Sequence, residues 1–132
     1  MTTSSSESFD VAQAAFQDFS YGLATGDWSK FLACLSDDFT FWFPAGPFKG
    51  LNSGKDRAEA FFASVAKVFP EGLTLTVERT LSSGNTVLFE VRSKGLMLGN
   101  PYENQAAISF DVAGNKICGY REYLGVIFQL GG

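Results

Sequence analysis

The sequence predicts an α+β fold in which three N-terminal helices pack on one face of a curved antiparallel sheet. Two observations lead to this prediction. Helical patterns of apolar residues occupy most of the first half of the chain, whereas the second half contains only strand patterns separated by hairpin turns. A sheet that wraps round a helix layer forms a cone, and a cone that side chains leave unfilled has a ligand cavity at its open end.

Length and composition predict one domain with an aromatic core. A chain of 132 residues suits a single domain, which we place at residues 8–132 after a frayed polar tail at residues 1–7. The chain is 45% hydrophobic and contains fourteen Phe, so large rings are expected to dominate the interior. Packed rings can leave a pocket between them.

Charge and residue usage exclude several classes of function. A net charge of −4 provides no basic patch for a nucleic acid. The absence of histidine removes the commonest general base and the commonest metal ligand, and the two cysteines, Cys34 in a predicted helix and Cys118 in a predicted strand, suit neither a zinc site nor a disulfide framework. With no leader-like or membrane-spanning stretch, we expect a cytoplasmic protein that binds no membrane, metal or cofactor.

The first two helices are predicted from apolar spacing and turn residues. Gly26 ends the first helix, and Asp27 is suited to cap a second, shorter one that ends before Ser36. The first helix spans about 7–23, and its apolar face contains Phe9, Ala12, Phe16, Phe19 and Leu23. The second carries Trp28, Phe31, Leu32 and Leu35.

A short aromatic strand and a third helix follow. Residues 39–43 are almost all large and apolar, which predicts a strand covered on both faces that ends at Pro44. Residues 45–53 contain Gly and Pro and predict an irregular surface loop. The third helix spans about 55–69, and its inner face contains Ala58, Phe61, Phe62, Val65 and Phe69.

Four strands complete the chain. They are predicted at about 73–82, 85–98, 102–113 and 115–128, with hairpin turns at Ser83-Gly84-Asn85, Gly99-Asn100-Pro101 and Ala113-Gly114-Asn115.

Alternation along these strands assigns the side chains that face the helices. Glu90 and Arg92 fall on the outer face. The inner set of the third predicted strand of this group is Tyr102, Asn104, Ala106, Ile108 and Phe110. In the last strand the more apolar set is Cys118, Tyr120, Glu122 and Leu124, which turns Glu122 inward.

An inward Glu122 beside Tyr102, Asn104 and Tyr120 would form a polar island in an aromatic cavity. Burial would raise the pKa of its carboxyl group, whereas hydrogen bonds from donors would partly lower it again. Such a group is suited to general acid or base catalysis near neutral pH. In the alternative interpretation the strand is bulged, Glu122 faces solvent or pairs with an arginine, and the cluster is structural.

Other residues have a structural and a functional interpretation each. Glu90 with Arg92 and Arg121 suits a surface ion-pair lattice better than a catalytic set. Asp37 and Asp38 suit a turn better than a metal site. Tyr21 is expected at the boundary of the helix layer and Trp42 in the core or a dimer contact, although each could reach a ligand. Gly46, Gly50 and Gly54 lack the spacing of a phosphate loop.

The order of several short motifs resembles the nuclear transport factor 2-like superfamily, in its SnoaL-like and ketosteroid isomerase-related branch. The resemblance covers nearly the whole chain and implies a cone-shaped α+β barrel, an apolar pocket and a homodimer packed through the outer sheet face. The motifs are Gly26-Asp27-Trp28, Ser36-Asp37-Asp38-Phe39, Trp42-Phe43-Pro44, Gly50 to Gly54, Gly99-Asn100-Pro101-Tyr102 with Asn104, Gly114-Asn115-Lys116-Ile117 and Arg121-Glu122-Tyr123.

The catalytic groups of the similar isomerases are missing here. In those enzymes an aspartate moves the proton, and a tyrosine and a protonated acid hold the oxyanion. The corresponding positions are Phe19 for the tyrosine, Phe43 for the base, and Ala106 or Ile108 for the second acid. The Asp-Arg-Asp arrangement of related epoxide hydrolases is also not visible on the inward faces.

The sequence therefore suggests a homodimeric protein that binds a small apolar or aromatic molecule in an internal cavity. If it is a cofactor-free isomerase, cyclase or hydrolase, Glu122 is the candidate general acid or base, and Tyr102, Asn104 and Tyr120 orient the substrate. The predicted pocket wall is Phe19, Phe43, Phe62 and Ala106. The alternative is a non-catalytic module that binds a protein partner.

Overall fold

A computed structural model describes residues 5–125 and shows an α+β fold built from one sheet and three helices. The helices are α1 (Ser5–Thr25), α2 (Ser29–Leu32) and α3 (Lys55–Val68), with a short 3-10 helix at Gly46–Phe48. The strands are β1 (Leu35–Phe43), β2 (Gly50–Ser53), β3 (Leu73–Ser83), β4 (Thr86–Met97), β5 (Asn100–Ala113) and β6 (Lys116–Gly125).

The sheet is open and mixed, which corrects two expectations. Its strand order is β2-β1-β6-β5-β4-β3, so β2 and β3 are its edges and the described strands do not close into a barrel. The pairing of β1 with β6 is parallel, whereas all other pairs are antiparallel. A parallel pair needs a long crossover connection. Here that connection contains β2, α3 and the hairpins that follow.

Helix α1 holds the helix layer to the sheet through aromatic contacts. Its predicted apolar face is buried apart from Phe9, which is partly buried. Phe16 stacks on Phe89 of β4 with ring centroids 4.1 Å apart, and Phe19 lies 5.8 Å from Phe110 of β5. Truncating one such buried ring to alanine costs about 3–5 kcal/mol. These contacts fix the distance between the helix layer and the sheet.

The second helix is shorter than predicted, and the first strand begins earlier. Cys34 lies in the turn after α2 and not in a helix, and Leu35 already belongs to β1. The backbone amide of Ile117 donates to the Cys34 carbonyl at 2.8 Å, so pairing with β6 ends the helical conformation. Asp27, the predicted cap, contacts the start of α2: its Oδ1 accepts a hydrogen bond from the Ser29 amide at 3.1 Å.

Part of the predicted irregular loop is the edge strand β2. Residues 50–53 pair with β1. The side chain of Asn52 in this strand is buried and contacts Arg57 at the start of α3. The Asn52 side chain donates to the carbonyls of Phe48 and Gly50 and accepts from Arg57 Nε at 2.9 Å. The strand was missed because the loop contains turn-forming residues whereas its pairing partner lies elsewhere in the chain.

The four long strands were predicted well, with one error in the face of β6. The predicted residues 126–128 lie outside the described part of the chain. The register between β5 and β6 shifts after Asp111, so that Ile117 is buried and Cys118 is only partly buried. The predicted inward position of Cys118 is therefore wrong, because a bulge beside it restarts the alternation. From Tyr120 onward the predicted phase is correct.

Among residues 5–125, no helix is long and apolar enough to cross a membrane.

Gly22 allows a close contact between α1 and the Trp28 ring in the segment that follows it. A Cβ atom at this position would lie 2.4 Å from Cε3 of the buried Trp28 ring. Alanine in a helix is normally more favourable than glycine by about 1 kcal/mol, but overpacking costs about 1–3 kcal/mol. We therefore expect Gly22→Ala to lower the free energy of unfolding by up to about 2 kcal/mol, as measured by urea denaturation.

A double-mutant cycle provides the control for this prediction. Trp28→Leu removes the ring that the new methyl group meets, so Gly22→Ala should cost clearly less in that background. A stabilising Gly22→Ala in the wild-type background would show that helix propensity outweighs the contact.

Candidate ligand pocket

A pocket lies between the inner face of the sheet and the ends of α1 and α3. Its free volume is about 80 Å³, which corresponds to a few water molecules. Its wall consists of Phe19, Leu23, Phe43, Phe61, Phe62, Val65, Phe69, Leu73, Leu75, Val91, Ser93, Tyr102, Asn104, Ala106, Ile108, Tyr120, Glu122 and Leu124. The pocket is thus mainly apolar, and its polar groups come from neighbouring strands.

The structure brings every predicted site residue into this wall. Glu122, Tyr102, Asn104 and Tyr120 form its polar side. The predicted apolar wall of Phe19, Phe43, Phe62 and Ala106 is also present. Alternation along β5 and the end of β6 was sufficient to find the lining residues Tyr102, Asn104, Ala106, Tyr120 and Glu122, because each lies on the face that the helices cover.

Of the lining residues that the structure describes, Glu122 is the only Asp, Glu, Lys or Arg. The buried Tyr120 hydroxyl donates a hydrogen bond to Glu122 Oε1. Burial raises the pKa of the Glu122 carboxyl from 4.5 to about 7, although the hydrogen bond from Tyr120 lowers it in part. A carboxyl group with this pKa is present in both its neutral and its charged form near neutral pH.

A second hydrogen-bonded chain lies beside Glu122. The Ser93 hydroxyl donates to Asn104 Oδ1, and Asn104 Nδ2 donates to the Tyr102 hydroxyl oxygen. Because Tyr102 accepts this bond, its own hydroxyl hydrogen can be donated to another group. Burial, followed by the charge of Glu122, raises the pKa of Tyr102, so the phenol stays protonated at neutral pH.

Sequence reasoning missed Ser93 and the full extent of the aromatic wall. Ser93 is buried and follows Val91 by two positions on β4, so alternation could have placed it on the inner face. Phe69 lies 5.2 Å from Tyr102, and Phe61 lies 4.9 Å from Phe43, measured between ring centroids. No sequence signal indicates which rings of α3 reach the pocket and which fill the core.

The positions at which the resemblance places the catalytic groups of the similar isomerases lie in this pocket and carry apolar side chains. Phe19, Phe43, Ala106 and Ile108 all contribute to its wall. A carboxyl group is instead provided by Glu122 of β6.

The remaining charged candidates make structural contacts on the surface. Glu90 pairs with Arg79, and Arg92 pairs with Glu78 at 3.5 Å, whereas Arg121 is exposed. These partners differ from the predicted Glu90, Arg92 and Arg121 set.

The other predicted alternatives also have structural explanations. Asp37 lies 3.8 Å from the Lys55 ammonium, and Asp38 accepts a hydrogen bond from the Ser36 hydroxyl. Tyr21 is exposed with Lys30 above its ring, and Trp42 stacks on Tyr123 on the outer face instead of entering the core. Within residues 5–125, no group of three or more Cys, Asp or Glu residues could hold a metal ion.

The fold and this pocket define the class of protein. The model of the SnoaL-like domain family matches residues 16–120, so the chain belongs to that family and to the nuclear transport factor 2-like superfamily. No curated protein shows a significant match to the sequence.

Solved structures support the same fold. An NTF2-like protein from Anabaena variabilis is 52% identical, with a TM-score of 0.91 over 96% of each chain. An epoxide hydrolase from M. tuberculosis described as LEH-like has 19% identity and a TM-score of 0.70 over 88% of this chain and 84% of its own. A Catenulispora acidiphila protein with a ketosteroid isomerase-like fold, in complex with trimethylamine, has 15% identity and a TM-score of 0.71 over 83% of each chain.

Glu122 should make the stability of the protein depend on pH. Because its pKa is raised from 4.5 to about 7, the folded protein holds a proton that the unfolded chain has already released between these values. The contribution of this group to the free energy of unfolding is therefore lost as pH rises through that interval. In Glu122→Gln the side chain stays neutral at every pH. The free energy of unfolding of this variant, relative to that of wild type, should therefore increase by about 3 kcal/mol between about pH 4.5 and 8.

Urea denaturation at a series of pH values measures this difference. Glu90→Gln is the matched control, because Arg79 lowers the pKa of Glu90, and its pH dependence should have the opposite sign. A stability difference between wild type and Glu122→Gln that does not change with pH would contradict the raised pKa.

Proposed function

We propose that this protein binds a small, mainly apolar molecule in the pocket and that Glu122 exchanges a proton with it. The observation that carries this proposal is the Glu122 carboxyl group, which lies in a ring-lined pocket with a pKa of about 7. Proton transfer is most efficient when the pKa of the catalytic group lies near the working pH. Other members of the fold include isomerases, cyclases and epoxide hydrolases, all of which are compatible with acid or base catalysis.

The volume of the pocket limits the size of the ligand that it can accept. A cavity that accepts benzene has a volume of about 150 Å³, whereas this pocket has about 80 Å³. An aromatic ligand would therefore have to displace side chains of the wall, and a molecule of a few non-hydrogen atoms would not. Trimethylamine, which is bound to the Catenulispora acidiphila protein, is an example of this size.

The polar side of the pocket supports a division of roles. The Tyr102 hydroxyl oxygen accepts a hydrogen bond from Asn104, so its hydrogen can be donated to an oxygen or nitrogen of the ligand. Asn104 holds that hydroxyl group, and Tyr120 holds Glu122 through a hydrogen bond to one carboxyl oxygen. The second carboxyl oxygen remains for the ligand. These residues need no cofactor for a proton transfer.

Exchange of deuterium into 2-butanone in D2O tests the proposed acid or base activity. We expect wild-type protein to accelerate exchange at the carbons beside the carbonyl group, with a rate that rises with pH and levels off above about pH 7 as Glu122 ionises. Glu122→Gln should reduce the acceleration by about 100-fold or more. Tyr120→Phe should move the pH midpoint upward, because it removes a hydrogen bond that lowers the pKa of Glu122. Proton NMR measures the exchange.

Glu90→Gln is the control variant, since Glu90 lies on the outer face and should leave the exchange rate at its wild-type value. Wild-type exchange at the rate of buffer alone would reject the acid or base role.

The outer face of the sheet supports a second proposal, that two copies of the chain associate through it. The three helices contact the opposite face. Trp42 stacks on Tyr123 with ring centroids 5.2 Å apart, and Tyr123 remains 46% exposed. Trp42 pairs with Leu51 of the edge strand, which is 68% exposed. An exposed group of aromatic and aliphatic side chains rimmed by ion pairs is typical of a protein interface.

Light scattering tests this association. We expect wild-type protein to be a dimer and Tyr123→Glu to be a monomer at the same concentration, because a buried charge without a partner opposes association. Tyr21→Glu changes a similarly exposed tyrosine on α1 and should leave the dimer intact. A monomeric wild-type protein would favour the alternative that this face binds a different protein.

A further inference from the structure

Within residues 5–125, the pocket contains a carboxyl group without a positive partner. Glu122 is the only Asp, Glu, Lys or Arg of its wall, and its hydrogen-bond donor is the neutral Tyr120 hydroxyl. The groups that α1, α3, β1, β3 and β4 present to the pocket are apolar except for the hydroxyl of Ser93. Besides Glu122, the titratable groups that face the pocket are the phenol of Tyr102 on β5 and the phenol of Tyr120 on β6.

Ionisation of the partly buried Glu122 in the empty pocket therefore carries a desolvation cost that the hydrogen bond from Tyr120 offsets only in part. That cost is the reason for its raised pKa, since burial is the largest cause of the shift. A cation in the pocket would remove the cost by pairing with the carboxylate. A metal ion is a poor partner, because one carboxyl group with neutral neighbours does not provide the several oxygen ligands that Ca²⁺ or Mg²⁺ takes.

The remaining wall suits an organic cation. The faces of aromatic rings attract ammonium groups, and this attraction is strongest where water is excluded. Phe43, Phe61 and Phe69 of the wall lie close to each other or to Tyr102, with ring centroids about 5 Å apart. Apolar rings also accommodate the alkyl groups of such a cation. The pocket volume of about 80 Å³ limits these groups to a few carbons.

We propose that the ligand of this pocket is a small aliphatic amine, bound as its ammonium ion between the Glu122 carboxylate and the aromatic wall. The inference rests on the proposed function, because it requires the pocket to be the ligand site. It adds the charge and the chemical class of the ligand. When the free amine enters, Glu122 in its neutral form gives its proton to the amine nitrogen, and the two charges formed remain paired. Protons and charges balance in this step without a further reactant.

Isopropylammonium and isopropanol form a matched pair of probes, because they have the same shape and differ in charge. The amine stays protonated below about pH 9, as lysine does. Methyl NMR of Ile108, which lines the pocket, reports binding of either probe to the full chain. At about pH 8 we expect isopropylammonium to bind at least about tenfold more tightly than isopropanol. Its affinity should fall about tenfold or more between about pH 8 and 5.5, as Glu122 is protonated.

Variants separate this inference from the proposed function. Glu122→Gln should lower the affinity for isopropylammonium to about that for isopropanol, and the control Glu90→Gln should behave as wild type. Sodium chloride at the same ionic strength should cause no shift of the Ile108 methyl signal.

Three results would overturn the inference. Equal binding of the two probes by wild type would show a pocket that takes small molecules without regard to charge, which rejects the amine and retains the pocket as a ligand site. A cation preference that persists in Glu122→Gln would place the binding elsewhere. Absence of binding by both probes would reject the amine together with the pocket as a site for ligands of this size.

Discussion

Aromatic contact between α1 and the sheet is the interaction on which the rest of the structure depends. Phe19 is the centre of this contact, since its ring centroid lies within about 6 Å of six other rings. These belong to Phe16, Trp28, Phe31, Phe62, Phe110 and Tyr120. Rigid rings hold the helix layer at a fixed distance from the sheet, and the space that they do not fill is the pocket. Phe19, the position that the resemblance assigned to a catalytic tyrosine, thus has a core role here.

The position of Glu122 shows how this core affects the chemistry. Tyr120 belongs to the ring cluster and also donates a hydrogen bond to Glu122, so packing of the core fixes the carboxyl group. Burial among the same rings opposes its charge. The protein therefore keeps a group in its pocket that reduces stability when it is ionised, and a ligand that provides a positive charge would relieve this cost. Such a cost is common where a side chain is kept for function.

Prediction from the sequence succeeded where local pattern and burial agree. The spacing of Phe16, Phe19 and Leu23 gave α1, and the alternation from Tyr102 to Phe110 gave the inner face of β5. Prediction failed where pairing between distant segments decides the conformation. Leu35 was assigned to a helix but pairs with Ile117. Residues 50–53 were assigned to a loop but pair with β1.

By itself the sequence determined the α+β fold class, the four long strands and the inward phase of Glu122. These properties follow from short-range periodicity and residue identity, which act over a few neighbouring residues. Only the tertiary structure decided that β1 and β6 run parallel, that the sheet stays open, that Cys118 leaves the inner face, and that the pocket is small and contains a single carboxyl group. These properties depend on contacts between residues far apart in the chain, and local sequence patterns do not specify which distant segments meet.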